Sequence, residues 1–83
     1  MEKLLDILKN IKPEVDFKTN SKLIDDGLMD SLDIFAVILE IEKQFSIEVN
    51  PNQIDPENFQ SIESIWTMIQ EIQNKNTDYQ ENL

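Results

Sequence analysis

The sequence contains no histidine, no cysteine and no arginine, and it has a single glycine. Without an imidazole it has no general base that titrates near neutral pH, and a Ser-His-Asp triad is impossible. Without a thiol it has no cysteine nucleophile, no disulfide and no Cys/His zinc site. These absences argue against catalysis, and we expect that the chain is not an enzyme.

The chain is strongly acidic, with seventeen acidic residues, seven lysines and a formal net charge of −10. Duplex binding needs a basic footprint, so we expect no nucleic-acid partner. No apolar run approaches the length of a membrane span, and the N-terminus does not have the pattern of a signal peptide. We expect a cytoplasmic monomer without a membrane span, and partners that carry basic docking patches.

The chain has 83 residues, which is room for one small domain. Apolar residues at helical spacing predict four helices, one before Pro13 and the others over Ser31–Phe45, Asp55–Gln60 and Ile62–Gln73. We therefore expect an all-α fold, a small four-helix bundle with a long first loop and a short third helix. The domain is assigned to residues 1–73, and the polar residues 74–83 are expected to form a disordered tail.

The segments between the predicted helices contain apolar residues that we expect to anchor them. The first loop, residues 12–30, has five such residues: Val15, Phe17, Leu23, Ile24 and Leu28. Between Ser46 and Ile54 two apolar residues, Ile47 and Val49, alternate with polar ones. We interpret this segment as a tight linker with two buried anchors, with a short strand as the alternative.

The second predicted helix is apolar around most of its girth over Ile34–Leu39. A surface helix needs only one apolar stripe, so we expect this helix to lie centrally and to contact more than one neighbour. We expect most of its apolar side chains, Phe35 and Leu39 among them, to belong to the core.

The stretch DGLMDSLD, Asp26–Asp33, lies where the second helix is predicted to begin. Asp30 and Ser31 both suit an N-cap, and Asp33 lies in the first turn, where an acid favours the helix dipole. The stretch resembles the motif of the carrier-protein superfamily, the acyl, peptidyl and D-alanyl carrier proteins. In that family a serine in an Asp-Ser-Leu triplet opens the second helix.

The resemblance extends over residues 1–73. Leu23–Leu28 is similar to the family's run into the motif, and Glu40–Val49 is similar to the end of its second helix and the linker. Pro56–Phe59 and Ser61–Ile65 resemble the short third helix and the start of the fourth.

The resemblance implies that Ser31 carries a covalent 4′-phosphopantetheine arm from coenzyme A. The chain would then be a discrete carrier protein that holds an acyl or aminoacyl group as a thioester and delivers it between enzymes. The implied partners are a phosphopantetheinyl transferase, an adenylating or acyl-loading enzyme and a downstream acyl-accepting enzyme. The alternative is a small helical interaction module with the same fold that is never modified.

Acidic residues cluster beside the motif, with seven acids and one lysine between Asp25 and Glu48. Such a run is ordinarily a solvated face that keeps a small protein soluble. We favour the alternative, a docking strip for basic enzymes, with five predicted contact residues: Asp30, Leu32, Asp33, Glu40 and Glu42. Ala36 and Lys43 stand where fatty-acid-type carriers often have acids. This difference favours D-alanyl, aminoacyl or specialised acyl carriers.

Overall fold

The computed structural model describes residues 1–81, and it describes the side chains of residues 1–75. Three α-helices form the fold: α1 (Glu2–Ile11), α2 (Ser31–Phe45) and α3 (Ile62–Glu81). Two short 3-10 helices, Pro51–Gln53 and Pro56–Phe59, lie between α2 and α3. The described residues contain no strand, so the predicted all-helical class is confirmed. None of the described helices combines the length and the apolar composition that a bilayer span requires.

The predicted count of four helices is not confirmed. The short third helix expected over Asp55–Gln60 is a 3-10 helix of four residues, Pro56–Phe59. Pro56 supplies the fixed φ of its first position, and the carboxylate of Asp55 accepts the Glu57 N–H at 3.0 Å. Because α3 begins at Ile62, there is no room for further turns.

α3 extends to Glu81, so its predicted end at Gln73 is wrong. Residues 74–81 are polar, but they contain neither glycine nor proline, and polarity alone does not stop a helix. The division into a domain of residues 1–73 and a tail of residues 74–83 stays a prediction. The last two residues of that tail lie outside the described residues.

One hydrophobic core joins all three α-helices to the first loop. Its largest fully buried side chains come from these elements and from the 3-10 helix Pro56–Phe59, and they are Phe17, Phe59, Leu4, Leu8, Leu23, Ile41, Ile65, Ile69 and Val37. At the end of α2, Phe45 meets Trp66 of α3 edge to face, with the ring centroids 6.0 Å apart. This geometry is favourable for an aromatic pair and fixes α2 against α3.

The five predicted anchors of the first loop are buried or partly buried, and Met29 is a further buried anchor. Gln60 ties the loop to the segment before α3. Its backbone carbonyl accepts the Leu23 N–H at 2.8 Å, and its side-chain Oε1 accepts the Ile24 N–H at 3.1 Å. These bonds hold the loop in place on the approach to α2.

The linker after α2 has the two buried anchors that the sequence predicted, Ile47 and Val49, and it forms no strand. α2 ends at Phe45, and its C-cap Ser46 adopts the left-handed conformation with φ 54°. Glu42 turns back to the linker, where its Oε2 accepts the Val49 N–H at 3.0 Å.

The prediction that most apolar side chains of α2 belong to the core is wrong for one face of the helix. Val37, Ile38 and Ile41 are buried, but Phe35 is 61% exposed and Leu39 is 64% exposed. Leu32, at the start of the same face, is 79% exposed. The core needs only a stripe of α2, so the remaining apolar residues stay on the surface.

Candidate functional site

Ser31 is the first residue of α2, and its side chain is exposed. The preceding residue, Asp30, has an extended backbone with φ −107° and ψ −174° and is the N-cap. The structure therefore assigns to Asp30 the cap for which the sequence left two candidates. The Ser31 hydroxyl makes no hydrogen bond to any described residue, so no hydrogen bond of the fold depends on it.

Asp30 and Asp33 close the start of α2 with a reciprocal pair of hydrogen bonds. The Asp33 N–H donates to Oδ1 of Asp30 at 3.0 Å, and the Asp30 N–H donates to Oδ2 of Asp33 at 3.0 Å. This capping box satisfies backbone donors that the helix leaves unpaired. The hydrogen bond from the Asp33 backbone lowers the pKa of Asp30, so its carboxylate is ionised at neutral pH.

Lys12 joins the capping box from the loop that follows α1. Its Nζ lies 3.3 Å from Oδ2 of Asp33, and the two side chains are 27% and 18% exposed. The hydrogen bond to Asp33 and its negative charge raise the pKa of Lys12. Lys12 therefore fixes the end of α1 to the first turn of α2, the turn that begins with Ser31.

The five predicted docking residues fall into two groups. Asp30 and Leu32 are exposed and Glu40 is half-buried, so all three reach the surface. Asp33 and Glu42 are half-buried, and both accept hydrogen bonds from the backbone. The part that these five residues play in docking stays a prediction.

An apolar cleft of about 220 Å³ opens beside Ser31, between α2 and the 3-10 helix Pro56–Phe59. Asp55 is the one charged residue of its wall, and the other lining residues besides Ser31 are apolar: Ile34, Phe35, Ile38, Ile54, Pro56 and Phe59. An engineered cavity of about 150 Å³ binds benzene, so this cleft has room for a small apolar group. Larger clefts elsewhere on the surface do not include Ser31.

Curated relatives match most of the chain. The D-alanyl carrier protein of Listeria welshimeri is 35% identical over 71 residues, which are 83% of this chain and 91% of the relative. Aminoacyl carrier protein 1 of Bradyrhizobium diazoefficiens is 35% identical over 63 residues, 76% of this chain and 69% of the relative. The chain belongs to the carrier-protein family.

The predicted family is therefore confirmed. A D-alanyl carrier protein of Lactococcus lactis matches this carrier protein at 26% identity over 77 residues, 90% of the chain and 98% of the relative. No family model matches the chain, and no solved structure matches it. Carrier proteins are not catalysts, so family membership confirms that the chain is not an enzyme.

Two features of this carrier protein are not predicted from its sequence: the exposed apolar face of α2 and the long-range contacts of Lys12 and Gln60. The exposure of Phe35 and Leu39 had a signal, because they share a face with Leu32 at spacings of three and four residues. The positions of Lys12 and Gln60 had none. Lys12 pairs with Asp33 in the first turn of α2, and Gln60 binds the backbone of the first loop at Leu23 and Ile24. Each contact joins distant parts of the chain, and only the folded loop brings them together.

Proposed function

We propose that this carrier protein holds an acyl or aminoacyl group as a thioester on a 4′-phosphopantetheine arm attached to Ser31. It delivers the group from one enzyme to the next. The observation that supports the proposal best is the Ser31 hydroxyl, which is exposed at the first position of α2 and engaged in no contact that modification must break. The capping box leaves it free, because Asp30 caps the helix.

The residues around Ser31 fit a phosphodiester. The first turn of a helix offers unpaired N–H groups and a partial positive charge, which favour an anion. The carboxylates of Asp30 and Asp33 oppose an anion there, and the ammonium of Lys12 offsets part of their charge. When bound, the arm supplies the thiol that the sequence lacks.

We propose an aminoacyl or short acyl cargo. The relatives are named D-alanyl and aminoacyl carrier proteins, which favours an amino acid. The cleft of about 220 Å³ beside Ser31 has room for a small group next to the attachment point. Neither observation favours a long fatty acid.

The partners proposed for this chain are a phosphopantetheinyl transferase, an adenylating or acyl-loading enzyme and a downstream acyl-accepting enzyme. The chain works as a monomer in the cytoplasm. Its contacts are small and transient, because a carrier must leave one enzyme before it reaches the next. The exposed acids that precede Ser31 along the chain, Asp25, Asp26 and Asp30, steer it toward basic surfaces.

The test is the intact mass of the chain after incubation with coenzyme A and a broad-specificity phosphopantetheinyl transferase. The wild-type chain gains the mass of one arm, and Ser31→Ala gains none. Ser21→Ala is the matched control, because Ser21 is an exposed serine of the first loop, and it gains the arm like wild type. A folded wild-type chain that gains no mass would support the alternative, an interaction module that is never modified.

A further inference from the structure

Lys12 brings a positive charge to the first turn of α2. Its Nζ lies 3.3 Å from Oδ2 of Asp33 and 3.9 Å from Oε2 of Glu14, and the described side chains form no other ion pair. The same oxygen of Asp33 accepts the backbone N–H of Asp30 at 3.0 Å. One carboxylate oxygen therefore joins the Lys12 ammonium to the backbone of the residue that precedes Ser31.

The backbone of Lys12 is fixed, so its side chain starts from a defined point. Its N–H donates to the carbonyl of Leu8 at 2.8 Å, and its carbonyl accepts the N–H of Val15 at 3.2 Å. Leu8 and Val15 belong to the core, and Pro13, whose ring locks φ, follows Lys12 directly. A side chain that is already oriented loses less entropy when its charged end binds another group.

The capping box uses backbone donors that an anion on Ser31 would otherwise bind. The Asp33 N–H donates to Oδ1 of Asp30, and the Asp30 N–H donates to Oδ2 of Asp33. A phosphodiester on Ser31 would add a third negative charge to these two carboxylates. Since like charges that lie close together repel one another, the anion needs a cation in addition to the remaining N–H groups of the turn.

Three of the other lysines lie at the opposite end of α2. Lys3 donates from Nζ to the carbonyl of Gln44 at 3.2 Å, Lys43 belongs to the last turn, and Lys75 lines a cleft with Ser46. The 15 residues of α2 span about 22 Å, more than two Debye lengths at physiological ionic strength, so salt screens these charges from the first turn. The remaining three lysines are exposed and form no ion pair with a described side chain, and they are Lys9, Lys18 and Lys22.

We propose, building on the function proposed above, that Lys12 binds the root of the attached arm, because its ammonium donates a hydrogen bond to a phosphate oxygen of the phosphodiester on Ser31. An ammonium has three N–H donors. Asp33 takes one of them, and Glu14, at 3.9 Å, lies beyond hydrogen-bond distance. A donor is therefore open for the phosphate while the bond to Asp33 is kept. Because such a charge-assisted bond is strong, Lys12 offsets the repulsion between the arm and the two carboxylates.

The first measurement is the melting temperature of each chain with and without the arm, after loading by a broad-specificity phosphopantetheinyl transferase and coenzyme A. Lys12→Gln removes the charge and Lys12→Arg keeps it. Lys43→Gln is the matched control, because it removes an exposed lysine about 18 Å along α2 from Ser31. Intact mass verifies that each chain is loaded. The change on loading is taken within each chain, so it cancels the effect of a variant on the fold alone.

We expect the arm to lower the melting temperature of Lys12→Gln by about 4–8 °C more than that of wild type, as the loss of one charge-assisted bond predicts for a domain of this size. Lys12→Arg and Lys43→Gln are expected to respond to the arm like wild type. Rescue by arginine distinguishes the charge of Lys12 from the packing of its stem.

The second measurement needs only the wild-type chain. An acetylating reagent reacts with the neutral amine of lysine, so an anion that stabilises the ammonium slows the reaction. With the thiol of the arm capped beforehand, we expect Lys12 to react about threefold more slowly in the loaded chain than in the unloaded chain, which corresponds to about half a pKa unit. Lys43 is the internal control, and its rate is expected to be the same in both forms.

The outcomes separate this proposal from the function on which it rests. A wild-type chain that gains no arm overturns both. A wild-type chain that gains the arm, with the same acetylation rate of Lys12 in both forms, overturns only the role of Lys12, and so does an equal response of wild type and Lys12→Gln to the arm. Equal responses of Lys12→Gln and Lys43→Gln also overturn it, because net charge would then explain the effect. If Lys12→Gln does not load, acetylation of the wild-type chain decides.

Discussion

The two faces of α2 have similar composition and opposite surroundings. Its inner face, Val37, Ile38 and Ile41, is at most 6% exposed. The three residues of its outer face are each more than 60% exposed, and they are Leu32, Phe35 and Leu39. Isoleucine and valine on one side and leucine and phenylalanine on the other have comparable hydrophobicity. Apolar character alone therefore does not assign a residue of this helix to the core. The position of the residue around the helix decides whether it is buried.

The exposed apolar residues of the outer face favour self-association, which the charge of the chain opposes. Exposed apolar side chains promote self-association. Like charge opposes self-association, and the chain has a formal net charge of −10. The two faces therefore differ in what they contribute to the fold, since the inner face lies in the core and the outer face does not.

The largest effect is expected from truncation of the inner face. Ile41 is fully buried, so Ile41→Ala loses about 2–5 kcal/mol of the free energy of unfolding. Leu39→Ala, the matched change on the outer face, alters it by about 0.5 kcal/mol or less. Denaturant unfolding of both variants measures the difference, and equal losses would contradict the distinction between the faces.

The next effect concerns Asp33, which lies on neither face. Asp33→Ala removes the carboxylate that accepts the Asp30 N–H and pairs with Lys12, so the free energy of unfolding falls by about 1 kcal/mol. Asp26→Ala, the loss of an exposed acid in the first loop, changes it by about 0.5 kcal/mol or less. Thermal unfolding compares the two. An Asp33→Ala variant as stable as wild type would show that this acid does not stabilise the start of α2.

The sequence predicted the elements of this fold better than their surroundings. Local signals suffice for α2, whose capping residues and apolar run lie next to each other along the chain, and for the buried anchors of the first loop. The predicted end of α3 is wrong, because polar residues do not stop a helix that contains no helix breaker. The contacts of Lys12 and Gln60 depend on loop closure over many residues, which no local pattern encodes.

A smaller effect, of opposite sign, is expected where α2 ends. Ser46 has φ 54°, a conformation that glycine adopts without a steric penalty. Ser46→Gly is expected to raise the free energy of unfolding by about 0.5–1 kcal/mol, since relief of the strain exceeds the entropy cost of glycine. A less stable variant would show that Ser46 is not strained.

The smallest effect is a pH dependence at the capping box. The folded chain lowers the pKa of Asp30, so this carboxylate stabilises the fold above its ordinary pKa, and that contribution is lost as the pH falls through the folded value. Asp30→Asn keeps a capping oxygen but does not titrate. We expect its stability to fall less steeply than that of wild type below about pH 4. Urea midpoints from about pH 2 to 6 measure the slope, and Leu39→Ala, which leaves the box intact, keeps the wild-type slope.

The most direct test of the account is to locate the arm on the chain. Cleavage after lysine releases residues 23–43 as one peptide, in which Ser31 is the only hydroxyl-bearing side chain. After incubation with coenzyme A and a phosphopantetheinyl transferase, the account predicts that this peptide carries the whole added mass and that the same peptide of Ser31→Ala carries none. An arm on any other peptide of the wild-type chain would contradict the account.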